Sequence, residues 1–146
     1  MNSRLWAVLC LVLGLALAPV ARAAPPAIAQ TEINYLLGVV ESSACEFFRN
    51  GSWYGAKMAA AHLRDKYRIL LATGNQINSA EDFIEEAASK SSLSGQPYQV
   101  RCSGDRAIAT NGWLRDMLAR YRARTGLRAP RASALGTVWR LTLRGP

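Results

Sequence analysis

The chain has 146 residues, 50% of them apolar and 19% charged, which suits one globular domain and excludes both a disordered tail and an array of domains. Its formal charge of +8 is unevenly spread: residues 31–109 hold 8 basic and 9 acidic side chains, whereas residues 110–146 hold 8 arginines and the single acid Asp116. The central segment therefore lacks the basic face interleaved with stacking aromatics that nucleic-acid binding requires, and no specific nucleic-acid partner is expected.

Arg4 precedes an apolar run from Leu5 to Ala18, followed by Pro19 and the small-residue pattern Ala21-Arg22-Ala23. This pattern reads as an export signal cleaved after Ala23. The run has 14 residues, short of the roughly 20 that span a bilayer, and no second long apolar segment follows, so the mature chain is expected to carry no transmembrane helix. Neither a twin-arginine pair nor a lipoprotein-type Cys10 fits the pattern, since Cys10 lies inside the apolar run. Removal of residues 1–23 leaves 16 Lys+Arg against 10 Asp+Glu, a net +6, and two cysteines, Cys45 and Cys102. An even pair in an oxidising compartment is expected to form a disulfide. The location implied is periplasmic or secreted.

In the mature chain, Ile33, Leu36, Leu37 and Val40 recur at the spacing of an amphipathic helix, opened by Thr31 with Glu32 and closed by Ser42-Ser43. Glu46 to Arg49 forms a short strand, and Asn50-Gly51 turns the chain after it. Ala56, Ala60, Leu63, Tyr67 and Leu70 mark a second helix from about Gly55 to Leu71, broken at Thr73-Gly74-Asn75. Ser79 caps a third, short helix with Glu81 and Asp82 in its first turn and Phe83, Ile84, Ala87 and Ala88 on its buried face. A polar loop from Ser89 to Gly95 leads to a strand at Pro97–Cys102. Thr110-Asn111-Gly112 then leads into a fourth helix carrying Trp113, Leu114, Met117, Leu118 and Tyr121. Beyond Arg124, glycines, prolines and arginines read as an Arg-rich extension over 125–146, with a late strand at Thr137–Leu143.

An antiparallel pairing whose residue numbers sum to 147 sets Cys45 opposite Cys102, Phe47 opposite Val100 and Arg49 opposite Tyr98, so the disulfide staples two strands far apart in sequence. The expected fold is α+β and mainly helical, with about four helices and a small two-stranded antiparallel ribbon stapled by one disulfide. Because a two-stranded ribbon is not independently stable, the helices must supply the core, and residues 24–124 make up the domain.

Several stretches, Arg49-Asn50-Gly51, His62-Leu63-Arg64 with Lys66-Tyr67, Ala80-Glu81-Asp82-Phe83-Ile84, and Ser89, Ser91-Ser92, Ser94-Gly95 with Pro97-Tyr98, follow in that order. In this order and spacing the chain resembles a domain-of-unknown-function family of small exported proteobacterial proteins, the YfeK-like group, over about residues 30–122. The resemblance implies a single small exported bacterial domain. It implies no reaction, and the Arg-rich extension departs from it.

Candidate chemistry is sparse. His62, the single histidine, sits one helical turn from Lys66, and two readings stand beside each other. In one it bonds a loop from the helix surface; in the other it is a general base for Ser89, Ser91, Ser92 or Ser94, with Arg49 holding an anionic substrate. His62, Ser91 and Ser92 are the catalytic candidates under that second reading, although no G-x-S-x-G elbow marks the serine. One histidine without nearby cysteine ligands does not make a zinc site, and neither a metal nor another cofactor is expected. Arg49, Asn50, His62, Lys66, Ser92 and Tyr98 are the candidate ligand-binding residues, since the stapled ribbon would gather them beside the serine loop. The partner would be an envelope protein or a small anionic ligand. The arginines between 120 and 144, interleaved with Trp139, Leu141 and Leu143, suggest peripheral contact with anionic membranes or other polyanions. A non-enzymatic binding or interaction module of the bacterial envelope accounts for these features most simply. The alternatives are a small hydrolase or transferase built on His62 and a loop serine, and an accessory protein acting through its tail.

Overall fold

A computed structural model describes residues 24–127. The expected export signal with its cleavage point at Ala23, and residues 128–146 with the expected late strand, lie outside the described residues.

Helix α1 spans Ala27–Ser42 and begins a turn earlier than its apolar stripe suggests. Pro26 is its N-cap, and the Gln30 amide donates to the Pro26 carbonyl, which starts the hydrogen-bond ladder there. Thr31 is therefore interior, and its hydroxyl donates to the Ala27 carbonyl instead of capping. Ile33, Leu36, Leu37 and Val40 are buried as the spacing requires, and Glu32 is buried among them at 1% exposure.

Strand β1 (Cys45–Arg49) and strand β2 (Ser52–Gly55) form a hairpin through Asn50-Gly51. Both turn residues have positive φ, 47° and 86°, the requirement of a two-residue turn whose twist matches its strands. The returning strand pairs Tyr54 with Phe47 and Trp53 with Phe48. Helix α2 (Ala56–Ala72) follows without a loop, and α1 packs along it.

Ser79 caps α3 (Ala80–Phe83) by accepting from the Asp82 amide at 3.0 Å, and the helix continues as a wider π turn over Ile84–Ala88. Phe83, Ile84, Ala87 and Ala88 are fully buried, with Tyr67 of α2 edge-on to Phe83 at 5.5 Å between centroids. Strand β3 (Gln99–Cys102) pairs with β1 in the register whose numbers sum to 147: Cys45 with Cys102, Glu46 with Arg101, Phe47 with Val100, and Phe48 with Gln99. The disulfide joins Cys45 to Cys102.

The expected two-stranded ribbon is a four-stranded antiparallel sheet of order β2-β1-β3-β4, where β4 is Ile108–Ala109. The hairpin turn sends the chain back against β1, so the residues between Gly51 and α2 have backbone partners that no side-chain pattern advertises. The proposed opposition of Arg49 and Tyr98 stops one pair short. Tyr98 donates its amide to the Ser89 carbonyl and accepts from the Thr110 amide, so its backbone is spent on the serine loop and on α4.

Helix α4 runs over Thr110–Thr125, three residues earlier than Trp113, and closes on Gly126 in the left-handed conformation. Asn111 and Gly112 fall within its first turn, where backbone N–H groups have no intrahelical partner and a glycine does little harm. Leu114 and Leu118 enter the core, and Trp113 meets Phe47 edge-on.

Alternation along the strands divides the sheet. Cys45, Phe47 and Val100 face the helices and are buried, whereas Glu46, Phe48, Trp53 and Arg101 lie on the other face. There Arg101 stacks 4.0 Å over Trp53 while its Nε donates to Glu46, so the outer face is covered by its own side chains.

Two arginines assigned to a membrane-facing stretch have partners within the domain. Arg122, only 14% exposed, donates in bidentate fashion to Glu32 (2.6 and 2.7 Å) and also to Glu81. Arg124 donates to the hydroxyl of Tyr35, which stacks on Tyr121. Among the described residues no helix is long and apolar enough to cross a membrane.

Candidate functional site

Alternation along β1 turns Arg49 to the same face as Phe47, and the hairpin register brings Tyr54 beside it. Helix α2 crosses this face and supplies Met58, His62 and Leu63, spaced so that they share one side of the helix. Tyr98, just before β3, and Thr110, the first residue of α4, close the far side. These elements enclose a cavity of about 60 Å³ whose walls are predominantly apolar.

Three side chains form its polar edge. Nη1 of Arg49 lies 2.7 Å from Nδ1 of His62 and 3.2 Å from Nε2, and Nε2 lies 3.2 Å from the Tyr98 hydroxyl. A guanidinium can only donate, so Nδ1 is the acceptor and the ring proton resides on Nε2, which donates to Tyr98. Burial, followed by the neighbouring Arg49 and Lys66 cations, holds the His62 pKa below its ordinary 6.5, with Asp65 opposing weakly. The imidazole is neutral at pH 7. Burial pushes the Tyr98 phenol up, against a smaller opposing effect of Arg49, so it remains protonated.

Arg49 also lies 5.0 Å over the Tyr54 ring. Among the described residues no carboxylate pairs with Arg49, although six other ion pairs tie up arginines elsewhere. The cavity thus presents one half-buried, unneutralised cation beside a neutral imidazole.

The remaining candidates are placed elsewhere. Lys66, a turn beyond His62, is buried behind Tyr98, where Nζ donates to the Lys90 carbonyl at 2.7 Å and lies 5.4 Å from the Tyr98 ring centroid. Burial lowers its pKa, with Glu86 opposing. It braces the serine loop and does not line the cavity. Asn50 is at the exposed hairpin tip and accepts from the Ser94 hydroxyl. Ser92 is exposed on the loop. Ser91 is buried and accepts from the Leu93 and Ser94 amides, and Ser89 donates to the Ile84 carbonyl. His62 therefore makes no hydrogen bond to any of these serines, and its two ring nitrogens are engaged by Arg49 and Tyr98. Among the described residues no group of three or more His, Cys, Asp or Glu side chains could hold a metal ion.

Sequence reasoning missed Tyr54 and Thr110. Tyr54 is recoverable from Asn50-Gly51, because a two-residue turn fixes its position opposite Phe47. Thr110 carries no comparable signal: a threonine at a helix start reads as a cap, whereas here the residue lies at the cavity and its hydroxyl is fully buried, with no hydrogen-bond partner among the described residues.

The chain is 37% identical to the uncharacterized protein YfeK of Salmonella typhimurium over 92 residues, 62% of this chain and 74% of that protein. No solved structure matches it. The profile of DUF5329, a family of unknown function, matches residues 27–122, from the first turn of α1 to the Arg122 clamp, and the chain belongs to that family.

Proposed function

We propose that the chain is an exported, non-enzymatic binding module of the bacterial envelope, and that a small anionic ligand occupies the cavity at Arg49. The observation that carries this reading is a half-buried guanidinium in a mostly apolar cavity with no carboxylate beside it among the described residues. A cation desolvated in this way is a ready partner for an anion, because the Coulombic gain is larger there than in water. The export signal and the disulfide support an oxidising location outside the cytoplasm. The hydrolytic alternative draws less support, since His62 donates to Tyr98 and accepts from Arg49 while the loop serines are bonded elsewhere.

The test is a thermal-shift screen of the oxidised, exported protein against simple carboxylates, phosphate and sulfate, repeated with Arg49→Gln. A ligand specific for the native state raises the melting temperature, and the shift is expected to disappear in the variant. A shift that Arg49→Gln leaves intact would place the anion elsewhere and refute the assignment.

A further inference from the structure

The bond between Arg49 and His62 holds only while one ring nitrogen is unprotonated. Nη1 of Arg49 donates to Nδ1 of His62 at 2.7 Å, and that nitrogen accepts through its lone pair. The ring proton is on Nε2, which donates to the Tyr98 hydroxyl at 3.2 Å. A second proton from solvent therefore enters at Nδ1, and the two side chains then present donors to each other with no acceptor between them. An oxyanion removes this conflict, because its oxygens accept from both. Tyr98 keeps its bond to Nε2 in either state, so the ring is held in place while Nδ1 changes from acceptor to donor.

The charges around His62 favour the same exchange. Arg49 comes from β1, Tyr54 from β2 lies beneath the guanidinium, and Tyr98 precedes β3. On α2 itself stand Lys66 and Asp65, the latter exposed and paired with Arg68. Other charges on the elements packed against α2 are committed: Glu41 of α1 to Arg64, Glu32 of α1 to Arg122, Glu46 of β1 to Arg101 and Glu85 of the π turn to Arg115. Glu86 acts on Lys66. Burial, then Arg49 and Lys66, outweigh Asp65 and keep a proton off Nδ1 in the free site. An anion at Arg49 offsets the nearer of those two cations and makes protonation easier. Linkage requires the converse, that a proton on Nδ1 tightens the anion.

Resting on the reading of the cavity as an anion site, we propose that the anion is shared between Arg49 and His62 and is taken up together with a proton on Nδ1, so that the module loads in acid and releases as the medium turns neutral. His62 is thereby a second anchor for the ligand and sets the pH at which the site fills.

Titration calorimetry of the oxidised chain between about pH 8 and pH 5 tests this, across the range where a histidine changes charge. The probes are sulfate, methanesulfonate and benzenesulfonate, which stay ionised throughout, in cationic buffers at fixed chloride so that no buffer anion competes. Affinity for at least one probe is expected to rise about tenfold or more over this range, with up to about one proton taken up per anion bound, counted from buffers of different ionisation enthalpy. His62→Gln removes the titration and keeps an acceptor for Arg49; it is expected to bind at all pH values with the affinity that the wild type has at neutral pH. Arg49→Gln is expected to weaken binding at every pH.

Affinity independent of pH in the wild type, or a rise that survives in His62→Gln, overturns the proposal and leaves the anion reading intact if Arg49→Gln still weakens binding. Binding that Arg49→Gln leaves unchanged, or no binding by any probe, overturns both. Because His62 is the single histidine, the midpoint of its ring-proton signals in a tag-free chain reads the same coupling without a variant, whether or not His62→Gln folds. Saturation with the probe that binds should raise that midpoint by about one pH unit, and an unchanged midpoint overturns the proposal.

Discussion

Replacing Arg122 by methionine keeps an unbranched apolar stem and removes the charge that three helices share. Arg122 on α4 meets Glu32 on α1 through two short hydrogen bonds and Glu81 on α3 through two more. The carboxylate of Glu32 is 1% exposed and that of Glu81 34%, so the variant strands the first and leaves the second able to hydrate. Breaking a buried ion pair from one side costs about 3–5 kcal/mol, because the orphaned charge stays where water does not reach it. For a domain of this size each kcal/mol lowers the melting temperature by about 4–8 °C, so a fall of at least about 12 °C is expected. Circular dichroism melts and urea titrations of the oxidised chain at neutral pH supply both numbers. The double variant Glu32→Met, Arg122→Met removes the stranded charge and should recover most of the loss, whereas Glu81→Gln alone should cost about 1 kcal/mol or less. A penalty below about 1 kcal/mol for Arg122→Met, or a double variant no better than the single one, would refute the reasoning.

The arginine also holds the Glu81 carboxyl below its ordinary 4.5 through a direct hydrogen bond, burial opposing. That stabilisation is complete above the ordinary value and is lost as pH falls through the lowered one, so Glu81→Gln should flatten the acid limb of the stability profile. His62 follows the same sign: its depressed pKa means the unfolded chain takes up a proton first as pH drops below 6.5, and stability should decline there in the wild type but not in His62→Gln. An identical slope in both proteins would reject this. Reduction of the Cys45–Cys102 bridge, which spans 57 residues of sequence, should destabilise the fold by about 4 kcal/mol in a denaturant titration with and without reductant. An unpaired buried hydroxyl costs about 1–3 kcal/mol, so Thr110→Val should leave the stability of the unliganded protein unchanged or raise it, and a loss above about 1 kcal/mol would mean that the hydroxyl has a partner.

The parts of this fold that were legible in the sequence are those governed by periodicity or by a single strong residue preference. Ile33, Leu36 and Val40 mark a buried helix face, Ser79 marks a cap, Asn50-Gly51 marks a tight turn, and two cysteines imply a bridge whose position fixes a strand register. Strands β2 and β4 escaped because their identity comes from backbone partners supplied by β1 and β3, which side-chain patterning does not show. Glu32 and Arg122 were read by charge as a helix opener and a basic tail; their true roles depend on the chain folding back across a separation of 90 positions. The candidate site was legible as a group, Arg49, His62 and Tyr98, because the register puts Arg49 near Tyr98. Its chemistry was not, since the choice between a catalytic and a binding histidine turns on which atoms face each ring nitrogen.

The cavity is also a seam in the chain. Arg49, Tyr54 and His62 arrive together from a hairpin and the helix after it, the outermost two only 13 positions apart, whereas Tyr98 comes from 36 residues beyond His62 and Thr110 from further still. Short-range pairings of the first kind close quickly, and long-range ones of the second kind carry the slow entropic cost of loop closure. A ligand in this cavity would therefore touch both sides of the divide that the Cys45–Cys102 bond spans covalently. It would act as a reversible cross-link laid parallel to a permanent one, joining the early and late halves of the fold only after both are in place.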